Sequence, residues 1–186
     1  MNNITINTDF SDYKKCFLEL NAKLNLISKN DEKYLYEKHI YDSLSIKLFF
    51  DKYNIKSANI LDIGCGGGFP SVPIALEYPQ FQVTGIDSIQ KKINAINELK
   101  QSLNIINLHT ICDRVEKLNG KKFDIITSRA VADLSKIAEY ALPLLNKHGY
   151  FIAYKSKKAQ EEITNAKPIL NKYNAIINEI ITYTLP

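Results

Sequence analysis

The residues with the clearest chemical potential lie in Asn59-Ile-Leu-Asp-Ile-Gly-Cys-Gly-Gly-Gly-Phe-Pro70. A short apolar run, Ile60 to Ile63, breaks into glycines at 64, 66, 67 and 68. This reads as a buried strand, a tight turn and a helix start. Glycines at such a turn let the backbone approach a ligand closely, and the N–H groups opening the helix offer an anion site. Open α/β sheets bind nucleotide-like ligands at this edge. A second acid closes the next apolar run, Phe81-Gln-Val-Thr-Gly-Ile-Asp87, where a carboxylate can accept hydrogen bonds from both hydroxyls of a ribose.

The glycine spacing narrows the ligand. Pyrophosphate cofactors favour G-x-G-x-x-G, but here the third position is Phe69 and the pattern is G-x-G-x-G after Asp62. That suits a cofactor without pyrophosphate, of which S-adenosylmethionine is the commonest. The competing reading is a tight turn in a sheet that binds nothing.

Two further strand ends carry candidate groups. At Cys112-Asp-Arg-Val-Glu116, Asp113 can accept from an adenine amino group, and the backbone at Val115 and Glu116 can line the ring edge. The competing reading is a solvated turn with an Arg–Asp contact. The run Asp124-Ile-Ile-Thr-Ser-Arg-Ala130 ends at Arg129, whose guanidinium can hold a phosphate, a base edge or the cofactor carboxylate; the competing role is a salt bridge to Asp133 or Glu116. Lys155 ends Ala153-Tyr-Lys155, and Lys91, Lys92, Lys121, Lys122, Lys157 and Lys158 offer a basic rim for a polyanion or a solvated face. His39, Asp42 and Ser43 share one helical face. With no nucleophile elbow this is a poor hydrolase triad, and the face is expected to dock on the sheet or close over the cofactor.

The elements that must position these groups follow from periodicity. Apolar residues at helical spacing mark helices over 9–29 and 31–53, with Asp9 or Ser11 as a cap. From residue 59 strands and helices alternate, which predicts a mostly parallel sheet. Strands are expected at 59–64, 81–87, 108–113, 123–129, 149–155 and 175–185. Helices are expected at 70–78, 90–103, 133–146 and 159–172, with a short turn at 114–118 and Gly149 as a helix stop. The organisation is an N-terminal helical extension, 1–56, packed on a cofactor-binding domain, 57–186.

Composition is consistent with one sizeable core. The 186 residues are 45% hydrophobic and 24% charged, with a formal net charge of +4. The mild basicity permits a nucleic-acid partner without requiring one. No apolar stretch spans a bilayer, and the N-terminus does not read as a secretion signal. Three scattered cysteines without metal-ligand spacing fit a reducing cytoplasm and predict no metal. Only two of the 24 basic residues are arginines, Arg114 and Arg129.

Taken together, the motifs resemble the small-subunit ribosomal RNA guanine-N7 methyltransferase family (RsmG, also GidB). The resemblance rests on Lys23-Leu-Asn-Leu-Ile-Ser28, Lys38-His-Ile-Tyr-Asp-Ser-Leu44, Leu61 to Pro73 with its Phe-Pro-x-x-Pro ending, and Ile86-Asp-Ser88 with Lys91-Lys92. Arg114-Val-Glu116, Ser128-Arg-Ala130 and Ala153-Tyr-Lys155 add to it. It implies an α/β, Rossmann-like class I S-adenosylmethionine-dependent fold. It implies a bacterial enzyme acting at N7 of a guanine in the 530 loop of 16S rRNA, position 527 in rRNA numbering, within the small subunit; a monomer is expected. Cofactor contacts are expected at Gly64, Gly66, Gly68, Phe69, Asp87, Asp113, Val115, Glu116 and Arg129. Arg129 and Lys155 are expected to orient the base, with no general base, and Phe69 or Tyr154 to offer it an aromatic face. Two departures stand out: Leu20 replaces the family's tryptophan, and the chain ends at Pro186, before the last antiparallel strand. The alternatives are a small-molecule methyltransferase, whose activity would be indifferent to salt, and a ribosome-binding module without activity, which would bind the cofactor weakly or not at all.

Overall fold

The run Ile60–Ile63 forms β1 (Asn59–Ile63), the middle strand of the sheet in a computed structural model that describes residues 4–156 and 158–186. It pairs in parallel with β2 (Gln82–Asp87) on one side and β4 (Phe123–Arg129) on the other. β3 (Leu108–Cys112) and β5 (Leu145–Tyr154) complete a parallel sheet of order β3-β2-β1-β4-β5. Parallel strands are covered on both faces, so their residues read as continuous apolar runs.

Each face has its own core. Ile60, Val83, Leu108 and Ile125 pack under α1 (Ser11–Leu24), α4 (Lys47–Lys52), α5 (Ser71–Glu77) and α6 (Gln90–Ser102). Leu61, Ile63, Ile86 and Ile126 pack under α7 (Leu134–Ala141) and α8 (Ala159–Lys172). Helix α1 buries Tyr13, Phe17 and Leu20 on one stripe, the period expected of an amphipathic helix. Asp9 Oδ1 accepts from Ser11 N–H at 2.9 Å just ahead of it.

Asn107 locks the α5–β2 connection to the start of β3. Its buried amide donates to the carbonyls of Ala75, Tyr78 and Phe81 at 3.0, 3.2 and 3.0 Å. Asn107→Ala leaves these carbonyls short of a donor and is expected to cost about 2–4 kcal/mol. Urea denaturation checks this; an unchanged midpoint would contradict it.

Three expectations about the elements are corrected. The region 31–53 is not one helix. It breaks into α2 (Lys29–Glu32), a π-helical turn (Leu35–Tyr41), α3 (Asp42–Leu44) and α4. The wider turn lets Leu35, Ile40 and Leu44 all be buried. The helix expected over 133–146 ends at Ala141, passes through a 3-10 turn at Leu142–Leu144, and yields to β5 at Leu145. Pro143 has no N–H to continue the helical ladder. Gly149 therefore lies inside β5, not at a helix stop. The β4–β5 register jumps from Phe123↔Leu145 to Ile125↔Tyr150, and a Cβ at Gly149 would lie 2.9 Å from the Asp124 carbonyl.

The sixth strand expected at 175–185 does not form. Residues 175–186 have no regular structure. Their polar groups find partners on the helical layer: Glu179 pairs with Lys52, Asn178 bonds Tyr53, and Tyr183 Oη donates to Asp42 Oδ1 at 2.6 Å. Ile176 and Ile180 stay exposed, so their spacing does not bury a strand face. No antiparallel strand is present among the described residues.

Candidate active site

The glycine loop leaves β1 and is tied at once to β2. Gly64 and Cys65 N–H both donate to the Ile86 carbonyl, at 2.8 and 3.1 Å. Gly64 has φ +68°, and a Cβ there would lie 2.6 Å from Val131 Cγ2. Gly68 has φ +94°, and a Cβ would lie 2.6 Å from Val72 Cγ2. Around Gly66 the nearest atom to such a Cβ is the Gly64 carbonyl oxygen at 3.8 Å. The loop is thus packed at its two ends and open in its middle, a cradle for a ligand.

Asp87 reaches this open middle. Its Oδ2 accepts from Gly66 N–H at 3.0 Å and its Oδ1 from Ile89 N–H at 2.9 Å, while Lys92 Nζ stands 3.9 Å from Oδ2. Each carboxylate oxygen has two lone pairs, so one on each remains to accept from a ribose hydroxyl.

Asp62, which sequence reasoning noted only as the residue ahead of the loop, is fully buried. It accepts from Ser71 N–H and Thr127 Oγ1, both at 3.1 Å, and so joins β1, α5 and β4 behind the loop. The signal available was an acid inside a buried apolar strand. Burial pushes its pKa up to about 7, against ~3.9 when unfolded. The folded state therefore holds this proton more tightly. The resulting stability is present below about pH 4 and lost as pH rises through about 7. Relative to wild type, Asp62→Asn is expected to lose that slope; urea denaturation across the range checks it, and parallel curves would contradict it.

At the end of β3, Asp113 sits in a solvated turn, but its partner is not Arg114's side chain. Its Oδ1 takes Arg114 N–H at 2.7 Å and Lys117 Nζ at 3.0 Å. Hydrogen bonding to Lys117, then to that N–H, lowers its pKa. Val115 and Glu116 open a 3-10 turn (Val115–Lys117). Both line a cavity of about 280 Å³ bounded by Leu118, Lys122 and Tyr140. Lys121 and Lys122 precede β4, about 20 Å of strand away from Arg129. The basic rim is therefore not one cluster with Arg129. Lys122 Nζ bonds the Pro143 carbonyl, and Lys157 lies outside the described residues.

Arg129, at the carboxyl end of β4, is gripped by the helical layer, not by Asp133 or Glu116. Nη1 donates to Asp42 Oδ2 at 2.7 Å and to the Lys38 carbonyl at 3.1 Å. The π-turn makes this possible: Asp42 N–H turns to the His39 carbonyl, and the Lys38 carbonyl receives the guanidinium. Nη2 lies 2.8 Å from His39 Nδ1. Arginine only donates, so Nδ1 accepts and the neutral imidazole carries its proton on Nε2. Burial, with Arg129 beside it, pushes the His39 pKa down to about 4. Three of five guanidinium N–H groups are used, leaving Nε–H and one Nη2–H without a partner among the described residues. The face carrying His39 and Asp42 does dock on the sheet, as expected. Ser43 Oγ turns back to the His39 carbonyl at 2.5 Å.

Phe69 does not offer an open aromatic face. Phe69 is 5% exposed, packed on Phe17 with centroids 5.2 Å apart and on His39 at 4.9 Å. Arg129 lies over its ring, 5.2 Å from the centroid. The Tyr154 hydroxyl donates to the Ser43 carbonyl at 2.7 Å, which fixes the half-buried ring at the end of β5. Lys155 is likewise engaged, donating to the Ala132 carbonyl at 2.7 Å and pairing with Glu162 at 2.6 Å.

A parallel sheet of this order, with a glycine loop after β1 and an acid ending β2, is the Rossmann-like fold of class I S-adenosylmethionine-dependent methyltransferases. Solved structures share the fold. The ribosomal protein L11 methylase of Lactobacillus delbrueckii subsp. bulgaricus superposes with TM-score 0.59 at 16% identity, over 78% of this chain and 74% of its own. An S-adenosylmethionine-dependent methyltransferase of Clostridium acetobutylicum gives 0.52 at 21% identity, over 77% and 57%. The chain belongs to the rRNA small subunit methyltransferase G (GidB) family, whose model matches residues 6–182. It is 39% identical over 181 residues to the Ribosomal RNA small subunit methyltransferase G of Staphylococcus aureus strains JH9 and N315, covering 95% of this chain and 75% of theirs. The cofactor is S-adenosylmethionine, which the open Gly66 cradle and the spare lone pairs of Asp87 fit. No helix among the described residues is long and apolar enough to cross a membrane, and they contain no group of three or more metal-ligating side chains.

Proposed function

We propose that this chain methylates N7 of a guanine in the 530 loop of 16S rRNA, position 527 in rRNA numbering, within the small ribosomal subunit of a bacterial cytoplasm. The observation that carries the reading is the Arg129 grip: a guanidinium fastened from the helical layer at the carboxyl end of β4, with two N–H donors to spare. Bound in the cradle, S-adenosylmethionine supplies an electrophilic methyl carbon. Guanine N7 has a lone pair and no proton to lose, so transfer needs orientation and exclusion of water, not a base. His39 agrees with this, because the lone pair that would take a proton is occupied by Arg129.

The roles divide accordingly. Gly64, Gly66 and Gly68 shape the loop, and Phe69 anchors its end from within the core. Asp87 holds the ribose. Asp113, Val115 and Glu116 border the adenine. Arg129 orients the guanine edge or the cofactor carboxylate. Residues 1–56 serve as a helical extension of the 57–186 cofactor-binding domain, sharing its core and supplying Asp42 and His39. The test incubates small subunits from cells lacking the enzyme with methyl-labelled cofactor and maps the product. A single N7-methylguanine in the 530 loop is expected; labelling at another base or atom would overturn the proposal.

A further inference from the structure

We propose that Lys155 and Glu162 form a strap that positions the loop 130–134 over the glycine cradle, so that Lys155 acts through this loop and not by touching RNA. The inference rests on the methyl-transfer reading above. The loop leaves β4 at Ala130, which has φ +54°, a left-handed conformation that a non-glycine residue adopts only where its surroundings hold it. The next residue, Val131, is 43% exposed yet lies against Gly64, its Cγ2 2.6 Å from where a Cβ there would stand. Val131 therefore borders the place where methyl donor and acceptor must meet.

Two contacts hold this backbone, one from Lys155 just past β5 and one from Glu162 on α8, and a third joins the two side chains. Lys155 Nζ donates to the Ala132 carbonyl at 2.7 Å. Glu162 Oε2 accepts from Lys155 at 2.6 Å and from Leu134 N–H at 2.8 Å. The two side chains are only 17% and 19% exposed. The loop is thus clamped by a donor on one carbonyl and an acceptor on an N–H two residues later, and the two clamps are joined. Asp133 stays outside the strap, capping α7 through Ser135 N–H at 2.9 Å. Two of the three ammonium protons are committed and Glu162 offsets the charge, which suits an internal brace better than a phosphate contact.

Direct contact and bracing predict opposite results for the pair. Under bracing, Lys155→Met and Glu162→Ala each lower kcat on small subunits by about tenfold to a hundredfold, because a misplaced loop spoils the reacting geometry. The double variant is no worse than either single one. The dependence of subunit binding on salt keeps the wild-type slope in both. Under direct contact, Lys155→Met alone lowers that slope by about one phosphate's worth, and Glu162→Ala does not weaken binding. A second readout needs no turnover: amide hydrogen exchange at 131–134 is expected to quicken in both variants while the amides of β1 and β4 keep their protection. Unchanged exchange, additive losses, or a slope that falls only in Lys155→Met would overturn the strap. If wild type fails to methylate small subunits, the proposed substrate falls, and exchange at 131–134 still decides the strap.

Discussion

Arg129→Ala is expected to lower methyl transfer by about 100-fold or more while leaving a folded protein. The guanidinium meets two carbonyl or carboxylate oxygens and an imidazole nitrogen in a fixed fork and lies over an aromatic ring. Arg129→Lys should not restore activity, because an ammonium cannot reproduce a planar fork. Stability falls as well, since Asp42 loses its charged partner, with Arg129 and Asp42 only 16% and 19% exposed. Tyr183 still donates to Asp42, so the cost is nearer to about 1–3 kcal/mol than to the ~3–5 of a fully stranded buried charge. Assays well below the melting midpoint separate the two effects. Normal turnover in Arg129→Ala would remove the observation on which the functional proposal stands.

Asp87→Ala is the variant expected to affect cofactor binding most. The carboxylate has two tasks: it fastens the loop through Gly66 and Ile89 N–H, and it has lone pairs left for a ribose. Hydrogen bonds to a charged group contribute ~1.5–3 kcal/mol each, so losing two weakens binding by about 100-fold or more. Asp87→Asn retains one acceptor and should lose less. Calorimetry with S-adenosylhomocysteine measures this directly. Thermal shift gives a second reading, since a ligand at 100 times its Kd stabilises by about 2.7 kcal/mol. Wild-type affinity in Asp87→Ala would contradict the assignment of this strand end to the ribose.

How much of this was legible in the sequence depended on how local each feature is. β1, β2, β3 and β4 fall within a residue or so of their expected bounds, because each is a short apolar run closed by turn residues. Helices α6 and α8 likewise follow from period and flanking residues. The errors arose where local signals were overruled. Pro143 ends a helix that the apolar period alone would continue. The isoleucines of 175–185 resembled a strand, but the segment's polar side chains found partners on the helical layer. A π-turn has no periodic signature of its own, so the break at Leu35–Tyr41 was invisible beforehand.

The site divides in the same way. Gly64, Gly66, Gly68 and Asp87 were readable because backbone freedom and strand-end position are properties of a few consecutive residues. Arg129 stands out as one of only two arginines, yet its partners are Asp42 and His39 and not the nearby acids Asp133 and Glu116. Asp42 lies 87 residues away, and nothing in either segment names the other. Lys155 stands out in the sequence by its place at a strand end, and nothing around it signals that Glu162 meets it.

By itself, the amino-acid order determined the alternation of strands and helices, the glycine turn with its two acids, and the family to which the chain belongs. Each is written in contiguous motifs, where spacing alone constrains the backbone. Only the tertiary structure decided which charges meet, which acid is buried, which imidazole nitrogen accepts, and where the last residues run. Those outcomes depend on distances between segments remote in the chain, and on how much water their packing excludes.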